Sequence, residues 1–366
     1  MPSLEEIKRV NSITNKMMAT QSTGQVMSYP EQITLMPLQV CNYKCIMCNE
    51  WKAREKPEMS PELLEKIRHV LPFVRTLFIT GGEPLMYRHL ESLLSMGSEA
   101  GCDLWMVSNG ALLDERRRDM LMTHGLKRLK ISLDAAKNST YKAIRGGNFF
   151  KVIRNIAQLY QTKVERGLEF PEVQLGFVAM RKNIAELPRL VVMASELGVK
   201  NIYVSYMGVQ NEESIPESLY FYQDMSDEYM QAATEAAMRH GVLLELPPLF
   251  SAEPSPEHVF DRSSELCHEP WRNLFIRPDG RCNLCCGGGG GCGNLNETSF
   301  KEMWNHPARV HAREKVNTDT PPKLCLSCKT VKQTPQDIGT HFNNKRLREA
   351  ALEWGEKTGL LPKNAA

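Results

Sequence analysis

Three cysteines that lie close together are the part of this sequence best suited to chemistry. Cys41, Cys45 and Cys48 are spaced so that a loop winding into one helical turn would bring their thiols to one side. A [4Fe–4S] cluster takes one cysteine per iron, so three cysteines leave one iron open to a ligand that is not protein. We expect the chemistry at that open iron. The alternatives are buried thiols, or a zinc site completed elsewhere, although structural zinc favours cysteine pairs with a distant second pair.

The composition is that of a globular protein, with 366 residues, 42% hydrophobic and 24% charged. This length allows one large α/β domain and a smaller one. The net charge of +2 argues against a general nucleic-acid or membrane-surface binder. No targeting signal is visible, and no apolar run approaches the ~20 residues of a membrane span. We therefore expect a cytoplasmic protein whose reduced cysteines act as metal ligands rather than as disulfides.

An alternation of short apolar strands with amphipathic helices follows the first thirty residues. Nearly continuous apolar strands are typical of parallel sheets covered by helices. The pattern predicts an α/β fold, a partial parallel (β/α)6 TIM-like barrel with right-handed crossovers, and Val242 to Leu246 as a candidate seventh strand. The six predicted strands are Ile33 to Val40, Thr76 to Thr80, Asp103 to Ser108, Arg128 to Leu133, Val173 to Ala179 and Asn201 to Tyr206.

Polar features follow the first four of these strands. The cysteine loop follows the first, Gly81-Gly82-Glu83 the second and Asn109 the third, while Ser132 and Asp134 end the fourth. Loops after parallel barrel strands share one rim, where active sites gather. The two glycines would let the backbone approach a ligand closely, and the carboxylate of Glu83 could accept a hydrogen bond from an ammonium group. The sequence therefore predicts one functional rim.

The remainder of the chain is predicted to form separate segments. Residues 1–30 are a polar arm with one short helix, 31–250 the barrel, 251–265 a polar linker, 266–334 a small C-terminal cysteine-rich module and 335–366 a tail helix. Seven of the eleven cysteines lie between Cys267 and Cys328. Asp279-Gly280 predicts a β-hairpin in this module, and a helix is expected after it.

The combination of Cys41-x3-Cys45-x2-Cys48 after one strand with Gly81-Gly82-Glu83 after the next resembles the radical S-adenosylmethionine (SAM) enzyme superfamily. The resemblance implies that the three cysteines hold a [4Fe–4S] cluster whose open iron binds the amino and carboxylate groups of SAM. Reductive cleavage of SAM then yields a 5′-deoxyadenosyl radical, which abstracts a hydrogen atom from an unactivated C–H bond.

The same resemblance implies a set of residues that contact SAM. Glu83 and the two glycines would bind the amino group, and Arg145 the carboxylate. Met47 stands where the superfamily usually has an aromatic residue near the adenine, and a thioether can also contact a ring. The implied set is Gly81, Gly82, Glu83, Asn109, Ser132, Arg145 and Met47.

The C-terminal cysteines resemble the SPASM/twitch auxiliary-cluster domain that follows the barrel in part of the superfamily. Nothing follows Cys328 at the spacing of the two-cluster version, which implies a single, fully protein-ligated auxiliary [4Fe–4S] cluster. A structural zinc ribbon is the alternative. The adjacent Cys286 could replace Cys285 as a ligand. The implied ligands are Cys267, Cys285, Cys325 and Cys328.

Three further thiols, Cys282, Cys286 and Cys292, are either hydrogen-atom donors to a substrate radical or buried thiols. A donor thiol would give epimerisation, whereas transfer of the second electron to the auxiliary cluster would give oxidation. The sequence resembles the single-cluster 2-deoxy-scyllo-inosamine dehydrogenase type, which implies a sugar, aminocyclitol or similar small polar substrate. The alternatives are a peptide-modifying maturase and a non-catalytic metal-binding scaffold. The expected partners are this substrate and an electron donor such as flavodoxin or ferredoxin, without nucleic acid or membrane.

Overall fold

The structure is a computed structural model and describes residues 2–252, 266–285, 291–326, 335–342 and 344–362. Its described strands form one sheet in the order β10-β9-β8-β1-β2-β3-β4-β5-β6-β7. The strands are β1 Gln32–Leu35, β2 Thr76–Ile79, β3 Asp103–Ser108, β4 Leu126–Ser132, β5 Glu172–Ala179, β6 Asn201–Tyr206, β7 Leu243–Glu245, β8 Asn273–Ile276, β9 Arg281–Asn283 and β10 Gly291–Asn294.

Helices connect the parallel strands, and further helices precede the first strand and follow the last one. The first of the connecting helices begins as the sequence predicts, with Ser60 as its N-cap and Pro61 at its first position. The helices are α1 Leu4–Thr20, α2 Pro61–Arg68, α3 Leu90–Glu99, α4 Glu115–Thr123, α5 Asn138–Arg145, α6 Phe149–Glu165, α7 Leu187–Glu196, α8 Gln223–His240, α9 Glu269–Arg272, α10 Phe300–Trp304, α11 Pro307–Lys315, α12 Lys323–Leu326, α13 Ile338–His341 and α14 Lys345–Thr358.

Strands β1 to β7 are parallel, and helices α2 to α8 provide the crossovers between them. Strands β1 to β6 each carry buried apolar residues, to which β4 contributes Leu129 and Ile131. The opposite face of β4 carries the half-buried Lys130 and Ser132. The predicted partial (β/α)6 barrel is therefore confirmed, with the seventh strand shortened to three residues.

The C-terminal module joins the barrel sheet. Strand β8 pairs in parallel with β1, in a register that places Gln32 opposite Asn273, and β9 and β10 extend the sheet in antiparallel fashion. The predicted hairpin forms between β8 and β9, where Gly280 adopts a φ of +81°. The module and the barrel therefore share a continuous sheet, which local sequence patterns did not indicate.

The N-terminal arm differs from its prediction. Helix α1 has 17 residues and begins with a capping box between Ser3 and Glu6. Its inward face is polar: Asn11 and Asn15 are buried, and each donates its side-chain amide to the carbonyl oxygen of Tyr29 at 2.9 Å. The predicted short helix is wrong because a polar buried face lacks the apolar periodicity that indicates a packed helix.

The tail after the cysteine-rich module packs against the barrel rim. Phe342 forms an isolated parallel bridge with Val209, and Leu347 and Ala351 of α14 are buried. These residues form a hydrophobic cluster with residues that follow the barrel strands, including Met207. The tail is thus part of the wall around the rim. The predicted linker lies outside the described residues from position 253 to 265.

Candidate active site at the barrel rim

The cysteine loop lies between β1 and α2 at the rim. The Cys48 amide donates to the carbonyl oxygen of Cys45 at 3.2 Å, and the Ile46 amide donates to that of Ile144 at 2.9 Å. The expected helical turn is therefore a single tight turn inside a loop. Cys45 is buried, while Cys41 and Cys48 are half-buried.

The glycine pair after β2 packs against the chain that enters the cysteine loop. Predicted strand one ends early, at Leu35, and the next residues bind this pair instead. The Gly82 amide donates to the Leu38 carbonyl oxygen at 3.0 Å, and the Glu83 amide donates to that of Val40 at 2.8 Å. A Cβ on Gly82 would lie 2.1 Å from the Val40 oxygen. The close approach that these glycines allow is therefore, first of all, to the cysteine loop's own backbone.

The side chain of Glu83 is buried, with 1% exposure. Its Oε1 accepts from the Ser108 hydroxyl at 2.7 Å and the Leu85 amide at 3.2 Å, and its Oε2 accepts from the Asn109 amide at 2.8 Å. Burial raises the pKa of Glu83, and these donors oppose the shift. The sequence predicted a carboxylate open to an ammonium group, whereas the structure shows one already engaged by its own chain.

Two side chains approach the cysteine sulfurs. Asn109 donates through Nδ2 to Oδ1 of Asn42 at 2.7 Å, and the same Nδ2 lies 3.9 Å from Sγ of Cys41. Nη1 of Arg145 lies 3.7 Å from Sγ of Cys45. Burial raises the pKa of the Cys45 thiol to about 11, and the guanidinium opposes this rise. Both donors are oriented to stabilise negative charge on sulfur.

Arg145 is held in a buried ion pair. Its Nη2 lies 2.5 Å from Oδ2 of Asp134, and both side chains are buried. Asp134 adopts a φ of +57°, and its Oδ1 accepts from the Val178 amide at 2.7 Å. The sequence implied that Arg145 binds the cosubstrate carboxylate, but its guanidinium is already paired in the structure. Nε of this group is buried and has no hydrogen-bond partner within the described ranges.

A cavity of about 600 Å³ lies beside the cysteine loop, beyond β5, β6 and β7. Met47 lines it, as does Thr340 of the tail. Ser132 faces the barrel interior from β4 but is not among the lining residues. The other lining residues are Val178, Tyr203, Val204, Ser205, Tyr206, Met207, Gly208, Gln210, Glu245, Leu246, Pro247 and Pro248.

The sequence analysis missed several parts of this site. Asp134 was noted only as a polar strand end, and its pairing with Arg145 depends on tertiary contact. Tyr203 and Ser205 alternate along β6, a signal that they face the interior once the outer face is assigned to the helices. Nothing in the sequence indicated that Thr340 would reach the rim.

The C-terminal cysteines are only partly described. Cys267, Cys285 and Cys325 are half-buried. Cys328 and Cys286 lie outside the described residues, as do positions 287–290 of the glycine run. The choice between Cys285 and Cys286 as a ligand stays open.

Cys282 and Cys292 lie on strands β9 and β10 and are fully buried in the hydrophobic core. Sγ of Cys292 lies 3.4 Å from Nη2 of Arg309. Neither thiol lines the rim cavity. This placement agrees with the interpretation as buried thiols better than with hydrogen-atom donation.

Two family models match the chain. The radical SAM superfamily model covers residues 35–190, and the SPASM model, an iron-sulfur cluster-binding domain, covers residues 267–329. The chain belongs to the radical SAM superfamily. It carries a SPASM domain after the barrel, as the sequence resemblance implied.

Relatives of known name share parts of the sequence. An AdoMet-dependent heme synthase of Methanosarcina barkeri is 23% identical over 295 residues, which covers 73% of this chain and 79% of the relative. A GTP 3′,8-cyclase of Campylobacter lari is 32% identical over 146 residues, 38% of this chain and 44% of the relative. The match to the cyclase thus spans less than half of either protein.

Solved structures share the fold. Streptococcus suis SuiB bound to S-adenosylmethionine matches with a TM-score of 0.64 at 16% identity, covering 85% of this chain and 77% of SuiB. AnSMEcpe with bound AdoMet and a peptide matches with a TM-score of 0.61 at 16% identity, covering 90% of this chain and 98% of that one. At these identities the similarity establishes the fold.

Membership implies a [4Fe–4S] cluster, SAM and an auxiliary iron–sulfur cluster. The rim residues fit the first of these groups: Cys41, Cys45 and Cys48 share one loop, and side-chain donors face two of the sulfurs. Within the described ranges, no three His, Cys, Asp or Glu side chains are close enough to hold a single metal ion. Cluster cysteines bind a different iron each, so they need not meet at one point. No helix in the described part has the length and apolarity to cross a bilayer.

Proposed function

We propose that this radical SAM enzyme cleaves SAM reductively and abstracts a hydrogen atom from a small polar substrate, such as a sugar or aminocyclitol, giving oxidation or epimerisation. One observation carries the proposal. Met47, which directly precedes Cys48, lines a cavity of about 600 Å³ at the rim. A substrate in this cavity would lie beside the residues that hold the initiating cofactor.

Cys41, Cys45 and Cys48 are the proposed cluster ligands. When bound by these cysteines, a [4Fe–4S] cluster would supply the electron for the reductive cleavage of SAM, the chemistry from which hydrogen-atom abstraction follows. The carbonyl oxygens of Gly81 and Gly82 accept no hydrogen bond within the described residues. We assign the methionine amino group to these carbonyls, because the Glu83 carboxylate already accepts three hydrogen bonds.

The remaining predicted contacts keep their proposed roles. Met47 would contact the adenine, Ser132 the cosubstrate and Nε of Arg145 its carboxylate, while Asn109 would fix the cysteine loop. Cys267, Cys285, Cys325 and Cys328 are the proposed auxiliary ligands. A small iron–sulfur or flavin protein, such as ferredoxin or flavodoxin, would supply the electron.

The chemistry of the cavity wall supports a small polar substrate. Its volume is within the usual range of ~300–1,000 Å³ for small-molecule sites. Hydroxyl groups of Tyr203, Ser205 and Thr340, the amide of Gln210 and the carboxylate of Glu245 line it. These groups can donate to and accept from a polyol on several sides.

Peptide modification is the second candidate function. It is supported by fold similarity to SuiB, which has also been solved with its precursor peptide SuiA, and to anSMEcpe solved with the Cp18Cys peptide. The two candidates separate when polyols and unstructured peptides are compared as stimulants of SAM cleavage.

The test is anaerobic reconstitution with iron and sulfide, followed by dithionite, SAM and quantification of 5′-deoxyadenosine. The Cys48→Ala variant should lose product formation. Cys102→Ala is the control, because Cys102 is a thiol in the core, away from the cysteine loop, and donates to the carbonyl oxygens of Leu71 and Val74. Product at background level in the wild-type protein, or equal product in both variants, would refute the proposal.

A further inference from the structure

The inward faces of four barrel strands form a row next to the rim cavity. Ser132 of β4 pairs with Gly176 of β5, Gly176 with Tyr203 of β6, and Tyr203 with Glu245 of β7. Tyr203 and Glu245 line the cavity. Lys130 precedes Ser132 by two residues, so it lies on the same face of β4, one step further from the rim.

The side chain of Lys130 crosses β5 at Gly176. A Cβ on Gly176 would lie 3.0 Å from Cε of Lys130 and 3.7 Å from its Cγ. Nζ reaches the next strand, where it lies 3.5 Å from the centroid of the Tyr203 ring. Since neighbouring strands are ~4.8 Å apart, the backbones of β4 and β6 are about 10 Å apart, and the Lys130 side chain and the Tyr203 ring bridge that distance together. A glycine inside a strand commonly marks a close approach, which here is that of the lysine.

Neighbouring inward-facing polar groups are paired with one another. Arg128 forms an ion pair with Glu172 at 3.3 Å, and Gln174 donates to Glu245 at 2.9 Å. The ammonium of Lys130 differs, because within the described ranges it has no hydrogen bond or ion pair and contacts only the Tyr203 ring. An ammonium carries three donors, and a half-buried one favours an oxygen acceptor.

Lys130 is not itself a lining residue of the rim cavity, but its ammonium lies against the lining residue Tyr203. We propose that Lys130 binds an anionic group of the substrate, a carboxylate or a phosphate monoester, at this inner end of the cavity. The inference rests on the proposed function, since it assumes that the substrate occupies this cavity. Such an anion would be held between the ammonium and the edge of the Tyr203 ring. The rest of the substrate would then extend toward the rim and the cysteine loop.

The electrostatic surroundings agree with this role. The pKa of Lys130 is lowered to about 8. Burial is the main cause, the charge of Glu245 opposes this shift, and the charge of Arg128 adds to it. An approaching anion restores the stability of the charged form, so binding and protonation favour each other. The carboxylate of Glu245, whose charge raises the pKa of Lys130, accepts from Gln174 and forms no ion pair with the ammonium in the described part of the chain.

Binding is tested without turnover on the reconstituted holoenzyme. Inorganic phosphate is titrated by ³¹P NMR and ¹³C-labelled succinate by ¹³C NMR, which separates the two sources of an oxyanion. Lys130→Met should weaken the affinity for the preferred anion at least about tenfold, because one charge-assisted hydrogen bond is lost. Lys345→Met, whose side chain is 89% exposed, is the matched control and should bind as the wild type does. Equal binding in wild type and Lys130→Met, or no binding in either, overturns the inference.

Turnover gives an independent arm. Matched compounds with a carboxylate, a phosphate or neither are compared as stimulants of 5′-deoxyadenosine release. Lys130→Met should raise KM for the anionic compound about tenfold, and Lys130→Arg should restore part of the affinity. Weaker SAM binding in Lys130→Met would overturn the inference. A wild type that forms no 5′-deoxyadenosine refutes the proposed function, and the anion titration then decides the role of Lys130.

Discussion

Replacing Gly82 by alanine should displace the cysteine loop. The added Cβ would lie 2.1 Å from the carbonyl oxygen of Val40, so this carbonyl must move by about 1.4 Å to reach a ~3.5 Å contact. The movement breaks the hydrogen bond that the Glu83 amide donates to the same oxygen at 2.8 Å. Overpacking costs about 1–3 kcal/mol and the lost hydrogen bond about 1 kcal/mol, which gives about 2–4 kcal/mol in total.

The displacement should reduce the iron content after reconstitution by more than the loss of stability alone would explain. Val40 precedes Cys41, and metal–ligand distances tolerate only about 0.2 Å. Iron and sulfide per chain are measured after anaerobic reconstitution, together with thermal unfolding. Gly97→Ala is the matched control, because its Cβ would lie 2.6 Å from Cδ2 of Leu104 and 2.8 Å from Cδ2 of Leu77 in the core, away from the loop.

The two variants should therefore separate stability from cluster loading. Both should unfold at lower temperature than the wild type, but only Gly82→Ala should lose iron at the rim and 5′-deoxyadenosine production. The reasoning fails if Gly82→Ala keeps its full iron content and activity. It also fails if both variants lose iron in proportion to their loss of stability.

Three further substitutions test the ion pair at the rim, the packing of the tail and the outcome of the reaction. Arg145→Met should lower the unfolding free energy by about 3–5 kcal/mol, because it leaves the buried Asp134 without its charge partner. Adding Asp134→Asn should recover part of this loss. An unfolding free energy that does not change in Arg145→Met would contradict the pairing. Phe342→Ala should cost about 3–5 kcal/mol by thermal unfolding, whereas the 67% exposed Phe150→Ala should change little. In deuterated solvent, an oxidation places no deuterium at the reacting carbon; incorporation that disappears in Cys286→Ala would instead identify epimerisation.

The barrel could be predicted because its signals are local. The strands Asp103–Ser108 and Asn201–Tyr206 agree with their predictions at both ends. Both strands are short apolar segments bounded by turn residues, and apolar side chains of both strands are buried in the fold. Strand one was predicted too long because its apolar residues continue to Val40, although the carbonyl groups of Leu38 and Val40 bind the amides of Gly82 and Glu83 rather than a neighbouring strand.

The rest depended on contacts between distant parts of the chain. The inward face of α1 carries Asn11 and Asn15, which are stabilised only by carbonyl groups that other segments bring near. Likewise, the sequence of β8 does not indicate that it pairs with β1. The ligand motifs gave the positions of the cysteines, whereas the engaged states of Glu83 and Arg145 required the folded geometry.

Burying Glu83 at the rim has a cost, because a desolvated carboxylate is stable only when donors satisfy it. Neutral donors do so here, among them the main-chain amide of Asn109. This bond fixes Asn109 so that its side-chain amide reaches Asn42 and lies 3.9 Å from Sγ of Cys41. The buried acid thereby orients a donor toward a cysteine sulfur.

Asp134 acts in the same way with a charged partner. It holds the guanidinium of Arg145, whose second terminal nitrogen lies 3.7 Å from Sγ of Cys45. Each of the two buried carboxylates at this rim therefore holds a residue whose side-chain donor lies beside a cysteine sulfur. Glu83 holds Asn109 beside Cys41, and Asp134 holds Arg145 beside Cys45. A buried thiol resists deprotonation, and a cluster ligand must be a thiolate, so a donor fixed in advance lowers the cost of forming the site. The two carboxylates are best understood as groups that prepare the cysteine loop, which agrees with the proposal that the backbone of Gly81 and Gly82 binds the cosubstrate.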